Sequence, residues 1–82
     1  MAMAYIMLSV ESGTDEEVLE DLMRIKGVTE ASLVYGIYDI VCKIEVDNMD
    51  KLKEAITRIR KLNVRTTQTL IAYKISVPKK ID

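Results

Sequence analysis

Ala4, Ile6, Leu8 and Val10 alternate with Tyr5, Met7, Ser9 and Glu11. A period of two puts neighbouring side chains on opposite faces of an extended chain, so Met3 to Glu11 is predicted as a strand with one apolar face. Ser12 and Gly13 interrupt it, and the period then changes. Val18, Leu19, Leu22, Met23 and Ile25 fall on one face of a helix beginning at Thr14. Thr14 and Glu17 have the spacing of a capping box, in which each side chain satisfies a free backbone N–H. Asp15, Glu16 and Glu17 lie at the positive end of the helix dipole. Gly27 supplies the left-handed residue that closes such a helix.

The second half follows the same plan. Val28 to Tyr35 is predicted as strand two, with Gly36 in the turn. Strand three runs from Asp39 to Val46, where Ile40, Cys42, Ile44 and Val46 alternate with Val41, Lys43 and Glu45. Asp47 or Asn48 can cap a second helix. Met49, Leu52, Ile56 and Ile59 carry that helix towards Asn63. Strand four is predicted from Thr66 to Val77 and is stopped by Pro78. Residues 78–82, with Lys79 and Lys80, read as a frayed tail after a single domain over residues 1–77.

A shift of 34 residues superposes the halves: Ile6 on Ile40, Leu8 on Cys42, Val10 on Ile44, Val18 on Leu52, Leu22 on Ile56, Ile25 on Ile59. Two units are too few for a solenoid, but they can share one sheet with both helices on one face. Right-handed crossovers then place strands one and three in the centre. The predicted fold class is α+β, a ferredoxin-like βαββαβ sandwich with antiparallel sheet order 4-1-3-2. The face away from the helices would carry Tyr5, Met7, Ser9, Val41, Lys43 and Glu45. It is partly apolar, which calls for a second copy stacked on it as a dimeric α+β barrel.

Length supports that pairing. A chain of 82 residues buries only roughly 60–65% of its unfolded surface, so association adds what a small core lacks. With 49% hydrophobic and 30% charged residues the composition is globular. One cysteine and no histidine exclude an internal disulfide and a zinc site of the usual ligands. No apolar run is long enough to span a membrane, and the first ten residues do not read as a signal peptide, so a reduced cytoplasmic setting is expected.

Charge is uneven. Residues 1–50 carry eleven acids and three bases, whereas residues 51–82 carry nine bases and two acids. One reading is a basic surface for nucleic acid. The other is an acidic first helix lying beside a basic second helix, favoured because both share one sheet face. Arg58, Lys61 and Arg65 make a basic stripe that reads as solvated surface; sequence-specific duplex binding is not expected.

No Ser–His pair, glycine-rich phosphate loop or metal-spaced cluster is present, and no cofactor is expected. A pair of carboxylates could still do acid–base work, although nothing singles out a pair. Gly36 serves as the positive-φ residue of a hairpin, and could also let a ligand approach the backbone. Asp39 either braces the turn or meets a ligand ammonium group. Tyr35 and Tyr38 are strand aromatics or pocket walls. Thr66, Thr67 and Thr69 suit a strand, with Thr67 and Thr69 on one face and Thr66 and Gln68 on the other. Cys42 takes the place of Leu8 in the repeat and reads as a small buried hydrophobe.

The hairpin Leu33-Val34-Tyr35-Gly36-Ile37-Tyr38-Asp39-Ile40-Val41 resembles the second hairpin of the effector-binding (RAM) domain of Lrp/AsnC transcriptional regulators. Ile25-Lys26-Gly27-Val28 and Thr66-Thr67-Gln68-Thr69 agree with it, and the likeness runs from about Ala4 to Tyr73. Its most specific element is Gly36-x-Tyr38-Asp39 in a βαββαβ frame. The resemblance implies an amino-acid effector, dimers that assemble into octameric or decameric rings, and ligand sites between dimers. It places Tyr35, Gly36, Tyr38, Asp39, Thr67 and Thr69 at that site. On this view Asp39→Ala weakens effector binding while leaving the fold intact. Family regulators carry a DNA-reading helix-turn-helix ahead of this domain; here the sandwich uses the whole chain, so a stand-alone module, a binding protein and not an enzyme, is expected. It would act alone or with full-length Lrp/AsnC regulators. Lys26 stands where the family often has proline. The rivals are a small dimeric α+β barrel enzyme, disfavoured by the lack of histidine, and a nucleic-acid-binding accessory protein, disfavoured by a third strand without aromatics.

Overall fold

The computed structural model describes residues 1–76. Six elements follow the predicted order: β1 (Ala2–Ser9), α1 (Asp15–Met23), β2 (Val28–Leu33), β3 (Ile40–Val46), α2 (Met49–Arg60) and β4 (Thr66–Ile71). The sheet order is β2-β3-β1-β4, which is 4-1-3-2 read from the other edge, and every neighbouring pair is antiparallel. β4 ends at Ile71, short of the expected Val77, with residues 72–76 outside the strand; Val77, Pro78 and the tail beyond lie outside the described residues.

The core is the apolar face of the two central strands under the helices. Ala4 pairs with Ile44, Ile6 with Cys42 and Leu8 with Ile40. All six side chains are buried. Val18 and Leu22 of α1 and Leu52, Ala55 and Ile59 of α2 close over them. Both members of nearly every pair in the 34-residue repeat are thus in the core or packed against it. Burial pushes the Cys42 thiol up from 9.0 to about 11, so it stays protonated and acts as a hydrophobe.

Cross-strand register defines the opposite face as well. Glu30, Lys43, Tyr5 and Leu70 form one row across all four strands, and Ser32, Val41, Met7 and Gln68 form the next. Lys43 donates to Glu45 at 3.2 Å, and that contact holds the Lys43 ammonium above its ordinary pKa. The face is therefore apolar towards β1 and β4 and charged towards β2.

Local details refine the sequence-based expectations or depart from them. Thr14 stands at the start of α1, but its hydroxyl donates back to the Glu11 carbonyl at 2.8 Å, and no side-chain cap forms. The tight Glu11–Thr14 turn claims the hydroxyl that a capping box would use. Of the two expected caps of α2, Asn48 fills the role, accepting the Lys51 N–H at 2.9 Å, while Asp47 pairs with the Lys51 ammonium at 3.1 Å. Finally, the ion pairs among the described residues are Asp21–Arg24, Lys43–Glu45 and Asp47–Lys51. None joins α1 to α2, so the expected complementarity of the helices is not made by direct pairing.

Gly27 lies beyond the end of α1, which closes with Arg24 as its C-cap. It has φ +103°, and a Cβ there would stand 2.7 Å from Val46 Cγ1. Its carbonyl accepts the Glu45 N–H at 2.8 Å. The turn is thus pressed onto the end of β3. Gly36 also has a positive φ, +136°, but nothing lies within 4 Å of a Cβ built on it. Both Gly→Ala changes incur a backbone cost of about 1–2 kcal/mol. Only Gly27→Ala adds a steric clash of about 1–3 kcal/mol. Urea unfolding should show Gly27→Ala to be the more destabilised variant by at least about 1 kcal/mol; equal midpoints and slopes would refute the close packing.

Candidate functional site

Antiparallel order brings three chain segments to one end of the sheet: the end of β1, the start of β3 and the start of β4. Asp39 is the residue that joins them. Its N–H donates to the Leu8 carbonyl at 2.8 Å and its carbonyl accepts the Val34 N–H at 2.9 Å. Its side-chain Oδ2 accepts the Val10 N–H at 2.8 Å. Across β1, the Arg65 N–H donates to the Ser9 carbonyl at 2.8 Å. Ser9 and Thr66 hydroxyls meet beside it.

A cleft of about 350 Å³ opens at this end, lined by Val10, Glu11, Ser12, Gly13, Asp15, Asp39 and Arg65. Three carboxylates and one guanidinium therefore face a common space. That set can hold a small molecule carrying both charges, because each sign finds a partner. Asp39 Oδ1 has no hydrogen-bond partner among the described residues.

Of the six site residues expected from sequence, this cleft takes Asp39 alone. Tyr38 is half-buried beside it, whereas Tyr35 and Gly36 project at the hairpin tip. Tyr35 is 106% exposed and Ile37 89%, with Leu33 and Val34 exposed behind them. Thr67 pairs with Leu8 and Thr69 with Ile6, so both are on the helix-side face of β4. Thr67 lies across β1 from Asp39, two strand spacings or roughly 10 Å away. Within one chain the six are thus near one end of the sheet but do not converge on one another. Glu11, Asp15 and Arg65 line the cleft but were not among the site residues singled out from sequence. The signal for them was topological: order 4-1-3 puts the residues just after strand one and just before strand four beside the start of strand three.

The family model described as the Lrp/AsnC ligand binding domain matches residues 3–81. The chain belongs to the Lrp/AsnC ligand-binding domain family. Among solved structures, this Lrp/AsnC domain is similar to the hypothetical protein PHS023 from Pyrococcus horikoshii, with 38% identity and a TM-score of 0.84 over 92% of this chain and 93% of that one. It is 28% identical over 74 residues to the HTH-type transcriptional regulator FL11 of Pyrococcus furiosus, covering 89% of this chain but 49% of the regulator. The chain thus spans about half the length of the curated relative that it matches. The feast or famine regulatory protein of M. tuberculosis, in a structure complexed with L-methionine, shares the fold at 20% identity, with a TM-score of 0.79 over 100% of this chain and 56% of that one. Lrp/AsnC membership makes this a ligand-binding domain of βαββαβ fold.

The hydrogen bond from Val10 corrects one expectation. Asp39 is a brace between β1 and β3, so Asp39→Ala does not leave the fold untouched. It orphans a part-buried N–H and should cost about 1–3 kcal/mol. Asp39→Asn keeps an oxygen to accept from Val10 and should remain within about 1 kcal/mol of the parent. Chemical denaturation of the two variants checks this; an Ala variant as stable as the parent would show that the brace carries no weight.

Proposed function

We propose that this domain binds a free amino acid at the sheet end marked by Asp39 and, as an assembly of several copies, passes that signal to Lrp/AsnC-type transcription regulation. The observation that carries the proposal is the Asp39 carboxylate. One oxygen is fixed by the Val10 N–H, which orients the group, and the other is left for a ligand ammonium. Arg65 in the same cleft, or the backbone N–H groups around Gly36, can meet the ligand carboxylate. The methionine bound to the M. tuberculosis relative supports an amino acid as the ligand class.

The exposed tip fits a site that is completed by a second copy. Tyr35 and Ile37 have almost no contact within one chain, and Tyr35, Gly36 and Tyr38 could wall a ligand only from across an interface. Thr67 and Thr69 would then contribute hydroxyls from the neighbouring strand. The half-apolar sheet face with Tyr5, Met7, Val41 and Leu70 supports a dimer formed by face-to-face stacking, and the tips would join dimers into octamers or decamers. The domain is read as a binding module and not an enzyme. Among the described residues no cluster of His, Cys, Asp or Glu is placed to hold a metal, and no helix is long and apolar enough to cross a membrane.

Two measurements test the proposal. Calorimetry with a panel of the twenty amino acids should find at least one ligand, and Asp39→Asn should weaken it about tenfold or more, the loss expected for one charge-assisted hydrogen bond. Unchanged affinity in that variant would move the site away from Asp39. Sedimentation at micromolar concentration should show a dimer or larger species, and a dominant 9.3 kDa species would refute the stacked face.

A further inference from the structure

The helix layer, on the side opposite the stacking face, carries a second concave feature that the effector site does not use. A cleft of about 110 Å³ lies between the turn after α1 and the exposed side of α2, lined by Lys26, Val46, Lys51, Glu54, Ala55 and Arg58. Its floor is apolar: Ala55 is buried, and Val46 is packed against the core. Its rim holds three cations drawn from two separate elements.

The elements are held rigidly. Gly27, next to Lys26, is pressed against Val46, and its carbonyl is tied to the Glu45 N–H. Lys51, Ala55 and Arg58 are four and three residues apart, so one stripe of α2 presents both cations across the small Ala55 side chain. A larger residue at position 55 would fill the dent. Against the three cations stand Glu54 in the lining and Asp47, which pairs with Lys51. Lys26 and Arg58 make no ion pair among the described residues.

We infer that the cleft between Lys26, Lys51 and Arg58 is an oxyanion site of phosphate type on the outer helix layer, separate from the effector site. A tetrahedral dianion offers acceptor oxygens in several directions, so donors approaching from two elements can each reach one. A monovalent halide offers no such geometry. The volume is below the roughly 300–1,000 Å³ of pockets that enclose a whole drug-sized ligand. The cleft therefore holds a single group: free inorganic phosphate, or the terminal phosphate of a larger molecule that otherwise remains in solvent.

Amide chemical shifts of the full chain, followed during titration with inorganic phosphate and separately with ATP, distinguish these sources and test the site. Ionic strength is held constant with sodium chloride, because exposed charges are screened by salt. Saturable shifts centred on Lys26, Gly27, Lys51, Ala55 and Arg58 in the millimolar range are expected. An at least tenfold tighter response to ATP would identify the phosphate as the end of a larger ligand, and equal responses would identify free phosphate. Lys26→Ala and Arg58→Ala should each weaken the response severalfold and together abolish it. The inference is overturned by shifts that fail to saturate and spread over all lysines alike, or by a doubly substituted protein that remains folded and titrates like the parent.

Discussion

The antiparallel pairing of β1 with β3 is the contact on which the rest of the molecule depends. Its register couples Ala4 with Ile44, Ile6 with Cys42 and Leu8 with Ile40, and so lines up the apolar faces of both halves of the chain. A slip by one residue would turn every one of these side chains to the other face. With the register fixed, the two helices have only one apolar surface to cover. The edge strands β2 and β4 can then only join the outer sides of the pair. The same register carries Asp39 to the end of β1, where its carboxylate meets the Val10 N–H.

The cleft lined by Asp39 and Arg65 is therefore a matter of where strands end. The central strands are sealed by core residues, and no polar side chain among the described residues is fully buried. Groups able to meet a ligand gather where the pairing stops and backbone groups need other partners. Asp39 answers one such need with one oxygen. The division of labour within a single carboxylate ties the integrity of the sheet end to the chemistry exposed there. A ligand that engages Asp39 also bears on the hydrogen bonds between β1, the hairpin and β3.

Most of the fold was legible because each element has a clean period and the two halves repeat it. Ile6, Leu8, Ile40 and Ile44 alternate without interruption, and Val18, Leu22, Leu52 and Ile59 recur at helical spacing. The exceptions are local contests for one group. Thr14 has a hydroxyl that either a cap or a turn can use, and the neighbouring Glu11 carbonyl takes it. In β2 a bulge between Val28 and Glu30 shifts the phase, so Val28 and Ala31 both side with the core although they stand three positions apart. No simple period reads through that. Of the site, sequence singled out Asp39 through the hairpin that it shares with the regulator family. Arg65 and Asp15 lie far from it along the chain and become its neighbours only through strand order. Gly36 and Tyr35 were legible as a tip, and Tyr35 there is fully exposed.

The position of Cys42 has a consequence for what this protein can be made to sense. It is the only cysteine in the chain and sits in a central strand, 1% exposed, with its thiol pushed up to about 11. Oxidants, alkylating agents and metal ions act on thiolates that they can reach. Here they meet neither the charge nor the access, short of separating β1 from β3. Thiol chemistry in the surroundings thus finds no foothold in the folded domain, and the lone cysteine serves packing alone.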